Sequence, residues 1–432
     1  MTRKGLGAWG PGGLSGRRSP KACLRIWFCV ICVICGFGVS VSAAQDWPAF
    51  RGPDGQGHST ESHLPLEWSE TRNVTWKTPL PGLGWSSPVV SGGKVWLTTA
   101  VEERGISLRL LAFDVATGKQ VVNVEVFHIA SSRDINPKNS WASPTPIVDG
   151  DRVYVHFGAD GTAAVSTAGA VLWTQRFDYQ SQHGAGGSPV VYGGLLIFSC
   201  DGSDAAFVVA LDTATGKVKW KTDRRAPADQ AYTTPLVIRV ADRDQLVSVG
   251  AYRATAYEPL NGKEIWRVSY ADGFSNVPRP VFAHGLVFIA TGFQQPSLLA
   301  VRPDGTGDVT KTHTAWKLSR GAPLTPSPIV VGDELYVVTD GGIATCLDAR
   351  TGATIWQQRL GGTYSASPVF AGGSIYFPAE QGVTTVIAPG KEFRRLATNR
   401  LDGGLLASMA VSGGSLFLRT DSHLYRIMET LR

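Results

Sequence analysis

Apolar residues along this chain fall in short alternating runs separated by glycine turns, and no stretch of helical length keeps the i, i+3, i+4, i+7 apolar spacing. One arrangement recurs: Ser or Thr, Pro, two apolar residues, a Gly turn, then alternating aromatic and aliphatic residues. It first appears as Ser87-Pro88-Val89-Val90, with Gly92-Gly93 and Val95-Trp96-Leu97. Further copies begin at Ser143-Pro144, Ser188-Pro189, Thr234-Pro235, Arg279-Pro280, Ser327-Pro328 and Ser367-Pro368. An eighth, Ser408-Met409-Ala410-Val411, lacks the proline but keeps Gly413-Gly414. The spacing between copies runs from 40 to 56 residues. Four short antiparallel strands with their turns need roughly 40–50 residues, the size of one propeller blade. The pattern therefore predicts an all-β chain, a single eight-bladed β-propeller over residues 45–432, with no room for a second domain.

A second motif lies in the later half of each repeat, most fully as Ala210-Leu211-Asp212-Thr213-Ala214-Thr215-Gly216-Lys217-Val218-Lys219-Trp220. Cys346–Trp356 and Ala256–Trp266 repeat it, and Ala112–Val122 and Ser166–Trp173 are partial copies. An Asp ending a strand can accept hydrogen bonds from the turn backbone, Gly supplies a positive φ, and the following Trp offers a flat face to fill space between blades. These residues are expected to be structural. The eighth repeat ends after a third strand, His423–Met428. Upstream, Val74-Thr75-Trp76-Lys77-Thr78 resembles the fourth-strand sequence Lys219-Trp220-Lys221-Thr222. Residues 73–80 are thus expected to complete the last blade and remove an open sheet edge.

Composition fits many turns and few long solvent-facing helices: Gly 50, Pro 25 and Trp 13 in 432 residues, with 18% charged. The net charge of +6 misleads, because residues 1–44 carry six basic residues and no acidic one. Without them the chain holds 35 basic against 35 acidic residues, a neutral body with no long-range attraction for phosphate backbones. Nucleic acid is accordingly not an expected partner. Those 44 residues read as a secretory signal peptide, with a basic start, an apolar stretch from Ile26 to Val41 and Ser42-Ala43-Ala44 before cleavage. Uncleaved, the same stretch would be a membrane anchor. The protein is expected to be periplasmic or otherwise extracytoplasmic. Four cysteines lie in this leader; Cys200 and Cys346 sit in different repeats and are expected to be buried free thiols.

The Ala-x-Asp-x-x-Thr-Gly-x-x-x-Trp pattern resembles the tryptophan-docking motif of pyrroloquinoline-quinone (PQQ) dependent alcohol dehydrogenases. It is also similar to the propeller of the outer-membrane assembly factor BamB, which shares the repeat without the cofactor. The stretches Asp46-Trp47-Pro48-Ala49-Phe50-Arg51-Gly52-Pro53 and Pro137–Pro146 resemble exported PQQ-like propellers of planctomycete-type bacteria. The resemblance covers residues 46–431 and implies the fold more than an activity. The quinoprotein relatives clamp PQQ with adjacent cysteines, whereas Cys200 and Cys346 stand 146 positions apart, so no cofactor is expected; PQQ and Ca²⁺ belong only to the alternative of a divergent quinoprotein oxidoreductase.

In a propeller, loops entering the innermost strand and turns between the second and third strands share the face where ligands bind. The entry loops carry Trp85, Asn139, Trp141, His183, Tyr232, Phe274, Arg279 and Tyr364. The turns carry Asp160, Asp201, Asp204, Arg253, Asp340, Glu380 and Asp421. Aromatic, carboxylate, Arg and His side chains together suit a polar small molecule, a sugar or a peptide. Asp201-Gly202 and Asp340-Gly341 also suit plain hairpin turns. Asp201 and Asp204 lack further Ca²⁺ ligands nearby in sequence. The stretch Phe127–Ser140 is long enough for a lid or a partner contact. No Walker loop, Gly-x-Ser-x-Gly elbow or His-Glu-x-x-His is present. The sequence therefore favours a monomeric, non-catalytic propeller that scaffolds an extracytoplasmic protein partner or binds a small polar ligand; carbohydrate binding through the mouth aromatics is a further alternative.

Overall fold

The computed structural model describes residues 45–130, 135–224, 227–271 and 273–429. The expected leader, with its cysteines and cleavage site, lies outside the described residues.

Eight antiparallel sheets follow one another, and each is a blade counted from the first repeat. Blade 1 runs through strands Val89–Ser91, Lys94–Glu102, Ile106–Asp114 and Gln120–Ile129. Blade 8 comprises Ala410–Ser412, Ser415–Arg419 and His423–Met428, and its fourth strand is Val74–Pro79. Val74 pairs with Ile427, Trp76 with Arg426 and Pro79 with His423. Ring closure by residues 73–80 is thus as the sequence predicted. Blade 4 carries one addition, the short segment Gly307–Asp308 laid parallel to its outer strand Glu264–Ser269.

The Trp motif does the packing expected of it. The indole Nε1 of Trp76, Trp173, Trp220, Trp316 and Trp356 each donates to a turn carbonyl of the next blade: Val115, Thr213, Pro259, Ala349 and Gly390. Trp266 departs from this rule. Its Nε1 donates to Gln245 Oε1 (2.7 Å), and Gln245 Nε2 donates to Pro303 O (3.0 Å) in blade 5. The link between blades 4 and 5 is relayed because the blade 5 connection is lengthened by the Gly307 segment. The motif's Asp residues act as predicted: Asp114, Asp212 and Asp348 Oδ1 each accept from the Thr three residues on, through its N–H and hydroxyl. Those bonds hold all three carboxyls below their usual range.

The Ser/Thr-Pro element has a role its sequence does not announce. The hydroxyls of Thr145, Ser188, Thr234, Ser327, Ser367 and Ser408 accept the backbone N–H of the corresponding residue in the preceding blade: Ser87 N to Thr145 Oγ1, Thr145 N to Ser188 Oγ, and Ser188 N to Thr234 Oγ1. The chain resumes from Arg279 N to Ser327 Oγ, then Ser327 N to Ser367 Oγ and Ser367 N to Ser408 Oγ. Proline is tolerated at the next position because the innermost strand is a sheet edge facing the channel. This geometry corrects the second repeat. Its equivalent residue is Thr145, before Pro146 and the strand Ile147–Asp149, two positions later than the Ser143-Pro144 start read from the sequence.

Before closing the ring, the N-terminal segment crosses the channel end where the inner strands finish. Trp47 bridges to Val90, Pro48 O accepts from Val148 N (2.9 Å), and Gln56 Oε1 accepts from Phe282 N (2.5 Å). His58 Nε2 lies 2.7 Å from Val330 O, and Phe370 N donates to Gly57 O (2.9 Å). Trp47 to His58 therefore touches the inner strands of blades 1, 2, 5, 6 and 7 and plugs that end. Of the two distinctive stretches read in the sequence, Asp46–Pro53 lies in this plug and Pro137–Pro146 does not. Cys200 and Cys346 are buried and free, with burial pushing the Cys346 thiol up to about 12.

Candidate functional site

The opposite end of the channel, where inner strands begin, is the face the sequence singled out. Asn136–Ser140 extends over it, and Lys138 Nζ reaches Glu380 Oε1 of blade 7 at 2.7 Å. Ser365 Oγ (2.6 Å) and Thr363 Oγ1 (3.0 Å) also donate to Glu380. Burial alone would raise the Glu380 pKa; Lys138 and Ser365 outweigh it and hold the carboxyl below its usual range. Lys138, in the connection between blades 1 and 2, is thus tied to blade 7.

Asn139 Nδ2 donates to His183 O (2.6 Å) and Ala185 O (3.1 Å), while its Oδ1 accepts from Ser143 Oγ (2.5 Å). The His183-Gly-Ala-Gly-Gly loop is packed closely. A Cβ at Gly186 would lie 2.8 Å from Tyr232 Cβ, and one at Gly187 2.5 Å from Thr233 O, so these glycines permit close backbone approach. The His183 ring lies 6.0 Å from that of Tyr232. Tyr232 Oη donates to Gln230 Oε1 (3.1 Å), and burial raises its pKa.

Beneath this loop, a cavity of about 10 Å³, room for about one water, is lined by His156, Tyr179, Ser181, Ser199, Asp201 and Tyr232 among others. Asp201, a ligand candidate that also suited a hairpin turn, closes the hairpin by pairing with Ala206 and is fully buried against Arg224. Arg224 Nε donates to Oδ1 (2.5 Å) and Nη2 to Oδ2 (2.8 Å), and Nη2 also meets Ser199 Oγ and Ser248 Oγ. Burial acts to lower the Arg224 pKa, but the attraction of Asp201 outweighs it and the guanidinium stays charged. His156 lies on the same cavity. Its Nδ1 is 2.8 Å from Thr162 Oγ1, and its ring sits 4.5 Å from that of Phe198. Burial lowers its pKa to about 3.

That depression makes stability depend on pH. An unfolded His titrates near 6.5, whereas the folded one stays neutral down to about 3. Its contribution is present above pH 6.5 and lost as pH falls toward 3. Denaturant unfolding at pH 7.5 and pH 5 should show a loss of about 2 kcal/mol that His156→Gln removes.

The other predicted residues serve as follows. Asp204 Oδ1 accepts from Gln180 N (2.7 Å). Asp340 Oδ1 accepts from Leu324 N and Thr325 N (both 3.0 Å), and its Oδ2 from Thr325 Oγ1 (2.7 Å). Tyr364 is buried, and Trp85 and Trp141 are half-buried at the start of blades 1 and 2. Arg253 Nη1 donates to Arg224 O (3.1 Å); Arg253 faces an outer groove of about 570 Å³ between blades 3 and 4, with Asp223, Lys263, Glu264 and Arg267. Arg279 lies inside the channel, where its Nη1 donates to Phe50 O of the plug (2.7 Å). The face therefore brings Asn139, His183, Asp201 and Tyr232 together around blades 2–4, and leaves Asp340, Tyr364 and Glu380 on blades 6 and 7. Sequence reasoning missed Arg224, His156 and Lys138. A lone polar residue closing the apolar strand Arg152–His156 was the available signal for His156; Arg224 and Lys138 carried none.

A family model described as outer membrane protein assembly factor BamB matches residues 66–173, 112–358 and 238–430. The chain belongs to this family. Among solved structures, BamB from Moraxella catarrhalis is similar to this BamB-family propeller with a TM-score of 0.58 and 13% identity, over 83% of this chain and 98% of that one. Quinohemoprotein alcohol dehydrogenase from Comamonas testosteroni gives a TM-score of 0.44 and 12% identity, over 90% and 81%. The BamB likeness shows a shared fold. No curated protein matches the chain. Among the described residues of this BamB-family chain, no helix is long and apolar enough to cross a membrane, and no group of three or more His, Cys, Asp and Glu side chains is placed to hold a metal ion.

Proposed function

We propose that this protein is an extracytoplasmic scaffold that binds another protein through the rim of its propeller. The carrying observation is that the chain's own N-terminal segment plugs one end of the channel and that an internal ion pair ties loops at the other. Trp47–His58 crosses one end, and Lys138 is paired to Glu380 over the other. The mouth residues that suit a small ligand make internal hydrogen bonds instead, and the cavity beneath them holds about one water. The mixed-charge groove between blades 3 and 4 has the polar, open character of a non-obligate protein contact. Membership of an assembly-factor family supports the same reading.

PQQ fits these residues poorly. The two cysteines are buried in separate blades, and Asp201, the carboxylate lining the cavity beneath the mouth, is committed to Arg224. The test pairs two experiments. Cross-linking in the native cell envelope, followed by purification, should recover one defined partner in stoichiometric amount, weakened by charge reversal at Lys263 and Arg267 in the groove. Titrating the purified protein with PQQ and Ca²⁺ should give neither binding nor alcohol-dependent dye reduction. Cofactor binding with turnover, and no partner, would replace the scaffold by the oxidoreductase reading.

A further inference from the structure

The plugged end of the channel contains two arginines that no carboxylate pairs with directly. Arg51 belongs to the plug and is 1% exposed; Arg279 begins the inner strand of blade 5 and is 5% exposed. Arg51 Nη2 donates to Gln56 O (2.5 Å) and Pro328 O (2.8 Å). Arg279 Nε donates to Pro235 O (3.1 Å) and its Nη1 to Phe50 O (2.7 Å). All four acceptors are neutral carbonyls. Arg51 Nε and Nη1 are buried with no hydrogen-bond partner among the described residues.

The carboxylate that acts on both, Asp54, spends its own bonds elsewhere: Oδ2 on His58 Nδ1 (2.7 Å) and Oδ1 on Gln56 N (2.8 Å). Burial, then repulsion from Arg279, lowers the Arg51 pKa to about 9, and burial lowers that of Arg279 to about 10. Both therefore carry full charge at neutral pH. The plug backbone is held directly against them. A Cβ at Gly55 would fall 2.5 Å from Arg279 Nη1, and one at Gly57 2.9 Å from Arg51 Nη2, and both glycines have positive φ (+67° and +92°).

Arg279 also breaks the repeat. Ser87, Thr145, Ser188, Thr234, Ser327, Ser367 and Ser408 occupy its position in the other blades, and Arg279 removes the hydroxyl that would continue their inter-blade chain. Two buried cations, one of them (Arg51) with unpartnered N–H groups, are costly unless a negative charge meets them. We infer that Arg51 and Arg279 form a buried site for a small monovalent anion of halide size, enclosed by the plug. Charge-assisted hydrogen bonds from unpartnered guanidinium nitrogens hold the anion, which locks the plug to blades 5 and 6.

Thermal unfolding of the full chain in sodium chloride, sodium bromide and sodium gluconate at matched ionic strength tests this. Chloride and bromide should raise the Tm saturably by a few degrees beyond gluconate, whose anion is too large for the site. Arg279→Ser restores the repeat hydroxyl and should lose the difference between the three salts. A bromide-soaked crystal of the unaltered protein gives a readout independent of that variant's folding: an anomalous peak within hydrogen-bonding distance of Arg51 Nε or Nη1. Identical melting in the three salts, or no bromide beside Arg51, would overturn the site.

Discussion

A chain shortened to begin at residue 81 is expected to lose cooperative unfolding altogether. Such a chain lacks Val74–Pro79, the fourth strand of blade 8, and exposes the edge of His423–Met428. It also lacks Trp47, Leu64 and Trp68, buried side chains of the apolar cluster that joins blades 1, 7 and 8. Three large apolar side chains each contribute about 2–3 kcal/mol by burial, and the strand adds its ladder of hydrogen bonds and the Trp76 link to Val115. That sum is comparable with the whole stability of a typical domain, about 5–15 kcal/mol. Near-UV circular dichroism should lose its sigmoidal transition, and size-exclusion chromatography should show aggregates seeded by the open edge. A sharp melt from monomeric shortened protein would show that the remaining sheets hold the ring without their N-terminal strand.

Arg224→Met is expected to cost about 3–5 kcal/mol at pH 7. The side chain is buried and bidentate to Asp201, and its loss leaves a carboxylate in the interior with no cation beside it. The sign of the pH dependence follows. Burial already raises the Asp201 pKa beside Arg224, and without that cation it rises further above the unfolded value near 3.9. Protonation then favours the folded state, and the variant should recover stability as pH falls from 7 toward 5 in urea unfolding, relative to the unaltered chain at each pH. Adding Asp201→Asn should recover part of the loss at pH 7, because the two effects are coupled through one contact. A cost below about 1 kcal/mol, unchanged by pH, would mean that Arg224, paired to Asp201 within blade 3 and bonded to Ser248 of blade 4, does not hold the two blades together.

Both effects concern joints between blades, and such joints were unevenly legible in the sequence. The docks of Trp76, Trp173, Trp220 and Trp356 could be read because the ring fills the same gap in each repeat, whereas Trp316, which makes the same bond, is set off the motif spacing by the segment holding Gly307–Asp308. Trp266 matches the motif equally well but needs Gln245 as an intermediary, which no motif marks. The candidate face was legible as a set of loops. Its organisation was not, since no motif marks the pairing of Asp201 with Arg224 or of Lys138 with Glu380.

The eight-bladed all-β fold, the Asp-anchored turns and the closing strand were determined by sequence alone. Each rests on local periodicity or on a residue type repeated at fixed spacing, and such regularity survives without knowledge of contacts. Tertiary structure alone decided that Trp47–His58 plugs the channel, that Ser and Thr before proline bond blade to blade, and that Arg279 leaves the mouth for the interior. Those features join residues tens to hundreds of positions apart, as Arg51 to Pro328 does, through single hydrogen bonds between polar groups. Alternation places a side chain on one face of a strand; only closure of the ring determines which distant polar group it meets there.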